Sequence, residues 1–172
     1  MNIIKPTVII NDKVVIGNHN FIDDNCILGS IPCHTPIYNH MNLYGAKIGD
    51  GNSLYTGTYV VSGTTRKTLI FDSCIIGPMC IIGHDSIIRD RVEIMNGCRI
   101  NGFVDVGMDT FIGSGATIRN RINIGFNCFI GQGSNVVADI PDNSFGFGNP
   151  FKVVKKTDGD FRLILKRIRA II

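Results

Sequence analysis

Every sixth residue from Ile70 to Val136 is a β-branched aliphatic: Ile70, Ile76, Ile82, Ile88, Ile94, Ile100, Val106, Ile112, Ile118, Ile124, Ile130 and Val136. A helix repeats its buried face every 3.6 residues and a strand every 2, so a strict period of six belongs to neither alone. The fourth position after each of these residues is mostly small, as at Cys74, Cys80, Ser86, Cys98, Thr110, Ala116, Cys128 and Ser134. One large and one smaller inward residue per six describe a short strand followed by a corner. Such a unit cannot bury its apolar side alone; stacked copies share a continuous core and form a β-solenoid. Three strands close one triangular coil of 18 residues.

The same rhythm runs through Ile4, Ile10, Ile16, Ile22 and Leu28, with turn-forming corners at Asn11-Asp12, Gly17-Asn18 and Asp23-Asp24. It then fails twice. Leu28 and the next clean position, Ile48, are 20 residues apart, and Val60 and Ile70 are ten apart; neither is a multiple of six. Loop insertions are therefore expected at about 30–47 and 62–68. The first holds His34, Tyr38, Asn39 and His40, and insertions at solenoid corners gather on the binding face, so these four are candidate substrate-binding residues. Both breaks are expected to read the substrate. The β-solenoid domain spans residues 1–151. The tail 152–172 places Phe161, Leu165, Ile168 and Ile172 on one helical stripe and carries seven Lys/Arg against two Asp, which predicts a basic amphipathic helix capping the solenoid.

Composition narrows the function. The 172 residues are 44% hydrophobic and 18% charged, which excludes a disordered chain and gives one domain with a proper core. A net charge of +3 is too small to suggest nucleic-acid binding. No apolar run is long enough to span a membrane, and Met1–Pro6 lacks the apolar centre of a signal peptide, so a cytoplasmic protein is expected. Cys26, Cys74, Cys80, Cys98 and Cys128 all fall on inward small positions and read as reduced core residues, with Cys33 apart in a loop. No Cys-x-x-Cys pair is present, and His19, His34 and His40 precede the regular coils, so no metal site is expected.

His84 is the one histidine inside the regular coils, in Ile82-Gly83-His84-Asp85-Ser86. It follows an inward isoleucine by two positions and so projects from a corner, with Asp85 beside it as an orienting carboxylate. One coil later stands Gly102, and stacked coils lie about 4.8 Å apart. An imidazole that accepts a proton and a backbone N–H that holds an oxyanion are the minimum for acyl transfer.

Gly83-His84-Asp85, with Gly102 one coil on, resembles the general-base segment of hexapeptide-repeat acyltransferases. It is similar to Ala-His-Asp of the UDP-N-acetylglucosamine O-acyltransferases and to Glu-His-Glu of the nucleotide-aminosugar N-acetyltransferases. Gly148-Asn149-Pro150-Phe151-Lys152 resembles the Gly-Asn-Pro-Ala-Lys motif of acetyl-CoA-using members. The resemblance covers roughly residues 4–155. It implies an all-β, left-handed parallel β-helix with a short C-terminal α-helix, assembled as a homotrimer with sites between subunits. It further implies His84 as general base and the Gly102 N–H as oxyanion donor.

On that footing the stacked corners Gly113-Ser114-Gly115 and Gly131-Gln132-Gly133 would let the pantetheine arm of acetyl-CoA lie along the solenoid. Asn149, Lys152 and Lys155 would meet the rest of the donor. The expected activity is acetyl-CoA-dependent N-acetylation of a nucleotide-linked aminosugar. The alternatives are O-acetylation of a sugar, or acyl transfer from acyl carrier protein to a UDP-sugar.

Overall fold

The computed structural model describes residues 1–32 and 43–156. Their 22 strands are mostly two or three residues long and alternate with corners every six residues. The strands stack into three faces. The first face runs β1 (Ile3–Ile4), β4 (Phe21–Ile22), β7 (Ser53–Leu54), β10 (Ile75–Ile76), β13 (Glu93–Ile94), β16 (Phe111–Ile112), β19 (Phe129–Ile130), β21 (Ser144–Phe147) and β22 (Lys152–Lys156). The second runs β2 (Ile9–Ile10), β5 (Ile27–Ser30), β8 (Tyr59–Val61), β11 (Ile81–Ile82), β14 (Arg99–Ile100), β17 (Thr117–Ile118) and β20 (Asn135–Val136). The third runs β3 (Val14–Ile16), β6 (Ala46–Ile48), β9 (Thr68–Ile70), β12 (Ile87–Ile88), β15 (Asp105–Val106) and β18 (Asn123–Ile124).

From β1 to β21, neighbours within a face are parallel, with Ile82 opposite Ile100 and Ile88 opposite Val106 one coil on. The sixfold isoleucines meet on the solenoid axis. Ile76, Ile82, Ile88, Ile94, Ile100, Ile112 and Ile118 are all fully buried, and the inward small residues fill the corners between them. A β-branched side chain suits this packing because its stiff χ1 costs little when the strand is already extended. Cys26, Cys74, Cys80, Cys98 and Cys128 are buried and unpaired, and burial pushes the Cys74 thiol up to about 12. At the open end of the first coil the inward positions lose their cover: Ile4 and Ile10 are 39% and 44% exposed.

Leu28 pairs with Val60, 32 positions on rather than 18, and the excess lies between β5 and β6, consecutive strands of one coil. Residues 33–42, and with them Cys33, His34, Tyr38, Asn39 and His40, lie outside the described residues. The re-entry is closed by a bridge between Gly45 and Gly63. Ile48 pairs with Ile70, four positions beyond a regular coil, and the excess is the corner Ser62–Lys67.

The tail departs from expectation at its start. Lys152–Lys156 is not helical but forms β22, antiparallel to β21, with Lys152 opposite Phe147 and Lys156 opposite Ser144. The turn at Gly148–Phe151 reverses the chain beside an unpaired edge, and Val153 and Val154 favour the extended pairing offered there. The remainder of the expected helix, 157–172, lies outside the described residues.

Candidate active site

His84 sits at the corner between β11 and β12, on the edge shared by the second and third faces. Gly83 lets that corner close: a Cβ there would lie 2.6 Å from the Gly102 nitrogen of the next coil. The stack is then pinned by the Phe103 N–H, which donates to the His84 carbonyl at 2.9 Å. The imidazole is partly exposed and meets the Phe103 ring edge-on at 5.1 Å between centroids. The Arg121 guanidinium lies 4.5 Å over the same Phe103 ring, so the three side chains form a column up the corner.

Asp85 has a left-handed backbone, φ 60°, a conformation that aspartate tolerates better than most residues. That twist turns its side chain inward, where it is fully buried. One oxygen accepts the Thr64 N–H at 2.9 Å and the Thr64 hydroxyl at 2.6 Å, and is within hydrogen-bond distance of His84 Nδ1 at 2.8 Å. The other accepts the Thr65 N–H at 2.7 Å, the Thr65 hydroxyl at 2.9 Å and the Arg66 N–H at 2.8 Å. Arg66 Nε donates to the Asp85 carbonyl, and the Asp85 N–H to Thr68 Oγ1, both at 2.9 Å. Burial alone would raise the carboxyl, but the hydrogen bonds from Thr64, His84 and the backbone outweigh it and hold Asp85 far below the usual carboxylate range.

The corner Ser62–Lys67 is therefore a cradle of three successive backbone N–H groups, an anion-binding arrangement. Its anion is Asp85 of the same chain. The expectation that this break reads the substrate is not met by those N–H groups, because all three already donate to the carboxylate.

Gly102 meets the far side of the ring. A Cβ built on it would lie 2.6 Å from His84 Nε2 and 2.7 Å from Cε1, so the imidazole lies against bare backbone that no side chain could cover. Among the described residues the Gly102 N–H donates to no backbone or side-chain acceptor. His84 and Gly102 both line a groove of about 430 Å³, together with Pro32, Val61, Ile81, Gly83, Ile100, Asn101 and Asn120. The three expected catalytic residues thus converge. Thr64, Thr65, Arg66, Asn101 and Asn120 do not stand out in the sequence, although the register break one coil below Asp85 is a usable signal for the first three.

The expected donor residues gather on a different edge. Gly113–Gly115 and Gly131–Gly133 form stacked corners between the first and second faces. Gly113 and Gly131 are closely packed, whereas Gly115 and Gly133 have φ 71° and 65° and open space where a side chain would project. Asn149, which precedes a cis proline, accepts a 3.1 Å hydrogen bond from Asn135 Nδ2 and so lies at the same edge. Lys152 is exposed in β22, and the Lys155 ammonium rests 5.2 Å from the Phe145 ring centroid on the first face. Within one chain the second face separates this edge from His84. Among the described residues no three or more His, Cys, Asp or Glu side chains are grouped as metal ligands would be. No helix of the described residues is long and apolar enough to cross a membrane.

Residues 85–120, which include Gly102, match the family model of the bacterial transferase hexapeptide, six repeats. The chain is similar to the UDP-N-acetylglucosamine acyltransferase LpxA of Bacteroides fragilis (TM-score 0.86, 20% identity), covering 98% of this chain and 64% of that one. It is similar to the O-acyltransferase LpxA of Moraxella catarrhalis (TM-score 0.79, 19% identity), covering 99% of this chain and 79% of that one. A putative acetyltransferase of Bacillus cereus aligns with TM-score 0.65 and 23% identity, over 95% of this chain and 86% of that one. No curated protein sequence matches the chain. Identities this low establish the fold, a hexapeptide-repeat β-helix.

Proposed function

We propose that this chain is an acyltransferase that acetylates the amine of a nucleotide-linked aminosugar, taking the acyl group from acetyl-CoA. The observation that carries the reading is that His84 Nε2 lies against Gly102, whose N–H has no acceptor among the described residues, with both residues lining one groove and the ring held from behind by Asp85. The acceptor nitrogen attacks the thioester carbonyl carbon while His84 Nε2 takes its proton. The C–N bond forms, and the charge that gathers on the carbonyl oxygen is met by the Gly102 N–H. The C–S bond then breaks, and the imidazolium returns its proton to the leaving thiolate. The open corners at Gly115 and Gly133 suit a pantetheine arm, and Lys152 near their upper end suits a phosphate. A donor on that edge would reach His84 of a neighbouring copy more directly than its own, which supports a threefold assembly.

A hydroxyl acceptor is the second reading. What favours it is the fixed Asp85, since a sugar hydroxyl is a poorer nucleophile than an amine and depends more on an oriented base. The test is thiol release from acetyl-CoA and from acyl carrier thioesters, against a panel of aminosugar nucleotides and their hydroxyl counterparts. An amine acceptor with acetyl-CoA is expected to give turnover that falls by about 10²–10⁴ in His84→Ala. Full activity in that variant would remove His84 from the chemistry.

A further inference from the structure

We infer that the Ser62–Lys67 corner is a positioning element for His84: it fixes the imidazole as its Nδ1–H tautomer and so presents the Nε2 lone pair to the groove. An ionised carboxylate accepts hydrogen bonds and donates none. Thr64, Thr65 and Arg66 already bring five donors to Asp85 before His84 is counted. Those donors hold it ionised, so it has no proton to give and must accept from His84 Nδ1.

A neutral imidazole carries one N–H. With that hydrogen committed to Nδ1, Nε2 is a bare acceptor, and it is the nitrogen that borders Gly102. The cradle acts through Asp85 and touches no reacting atom. Its two hydroxyls are the adjustable part, because the three backbone N–H groups survive any substitution. The period break at 62–67 is then an intramolecular device for orienting a base one coil above it.

The catalytic consequence rests on His84 being the base, but the tautomer does not. The test is therefore read first in the substrate-free protein. Two-bond ¹⁵N–¹H spectra of His84 are expected to show the Nδ1–H form in the parent chain and in Thr64→Ser/Thr65→Ser, which keeps both hydroxyls. Thr64→Val/Thr65→Val is expected to give a tautomer mixture, and about a tenfold lower kcat at unchanged KM with whichever acceptor of that panel turns over.

An Nε2–H tautomer in the parent chain would overturn the inference. So would a valine variant that loses activity with its tautomer and pH profile unchanged, since the corner would then be mere scaffolding. The parent and serine spectra stand even if the valine variant fails to fold. If His84→Ala proves fully active while the tautomer shifts as expected, the base assignment fails and the cradle stands.

Discussion

Gly102→Ala isolates the contact on which the site turns. Gly102 lacks the positive φ that strains alanine, so the substitution adds a methyl group without a backbone penalty. That methyl would lie 2.6 Å from Nε2, 2.7 Å from Cε1 and 3.0 Å from Cδ2, where ordinary contact is 3.4–4 Å. The ring must retreat by roughly 1 Å, a displacement worth about 10² in rate. It has little room to do so, since Asp85 lies 2.8 Å from Nδ1 and the Phe103 ring is perpendicular to it at 5.1 Å between centroids. The expected result is a kcat/KM about 100-fold lower, or about 2.7 kcal/mol of transition-state stabilisation.

Overpacking of this kind costs about 1–3 kcal/mol of stability, which lowers the melting temperature by no more than about 10 °C. Thiol-release kinetics and a thermal melt measure both effects. Gly51→Ala supplies the contrast: its φ of 66° strains an alanine, but nothing lies closer than 3.6 Å. It should lose about 1 kcal/mol of stability and keep its turnover. A Gly102→Ala enzyme within threefold of the parent would refute the claim that the ring requires bare backbone.

Other consequences are open to direct measurement. Asp85 is ionised in the fold well below its ordinary value near 3.8, so its stabilisation is complete above about pH 4 and fades as pH falls through the folded-state value. Asp85→Asn should therefore destabilise by about 3 kcal/mol at pH 7, with the deficit narrowing in denaturant titrations at pH 3. A deficit that is constant with pH would contradict an ionised Asp85. Cys74, whose thiol sits near 12, should resist thiol reagents at pH 8 by mass spectrometry until denaturant is added. Arg89→Ala breaks a bidentate pair with Asp105 at the surface, and should move the melting temperature by no more than about 1 kcal/mol allows.

The coils were legible because periodicity reports a side chain's distance from an axis, and Ile70 to Val136 never miss a beat. The convergence of His84, Asp85 and Gly102 followed from the same arithmetic of one coil per 18 residues. What could not be read was direction. Nothing in Thr64-Thr65-Arg66 says that its amides turn toward a carboxylate 20 positions away, because that depends on Asp85 adopting a left-handed corner and pointing inward. The tail misled for a related reason. Lys152–Lys156 is compatible with a helical stripe, and only the free edge of β21, a tertiary circumstance, draws it into a strand. The glycine corners at 113–115 and 131–133 are legible in the sequence, but the edge they occupy relative to His84 is a matter of which corner of the triangle each hexad reaches.

The cradle, the base and the bare glycine come from three successive levels of the stack, Thr64–Arg66, His84–Asp85 and Gly102. In a solenoid each level touches only the next. The proposed reactive centre is thus a local property of a short section of the column. A lineage could add or delete whole coils above Ile124 or below Ile16, changing what the column binds along its length, without disturbing the proposed geometry of proton transfer. The unit of inheritance for the chemistry is three rungs, while the ladder itself is free to vary.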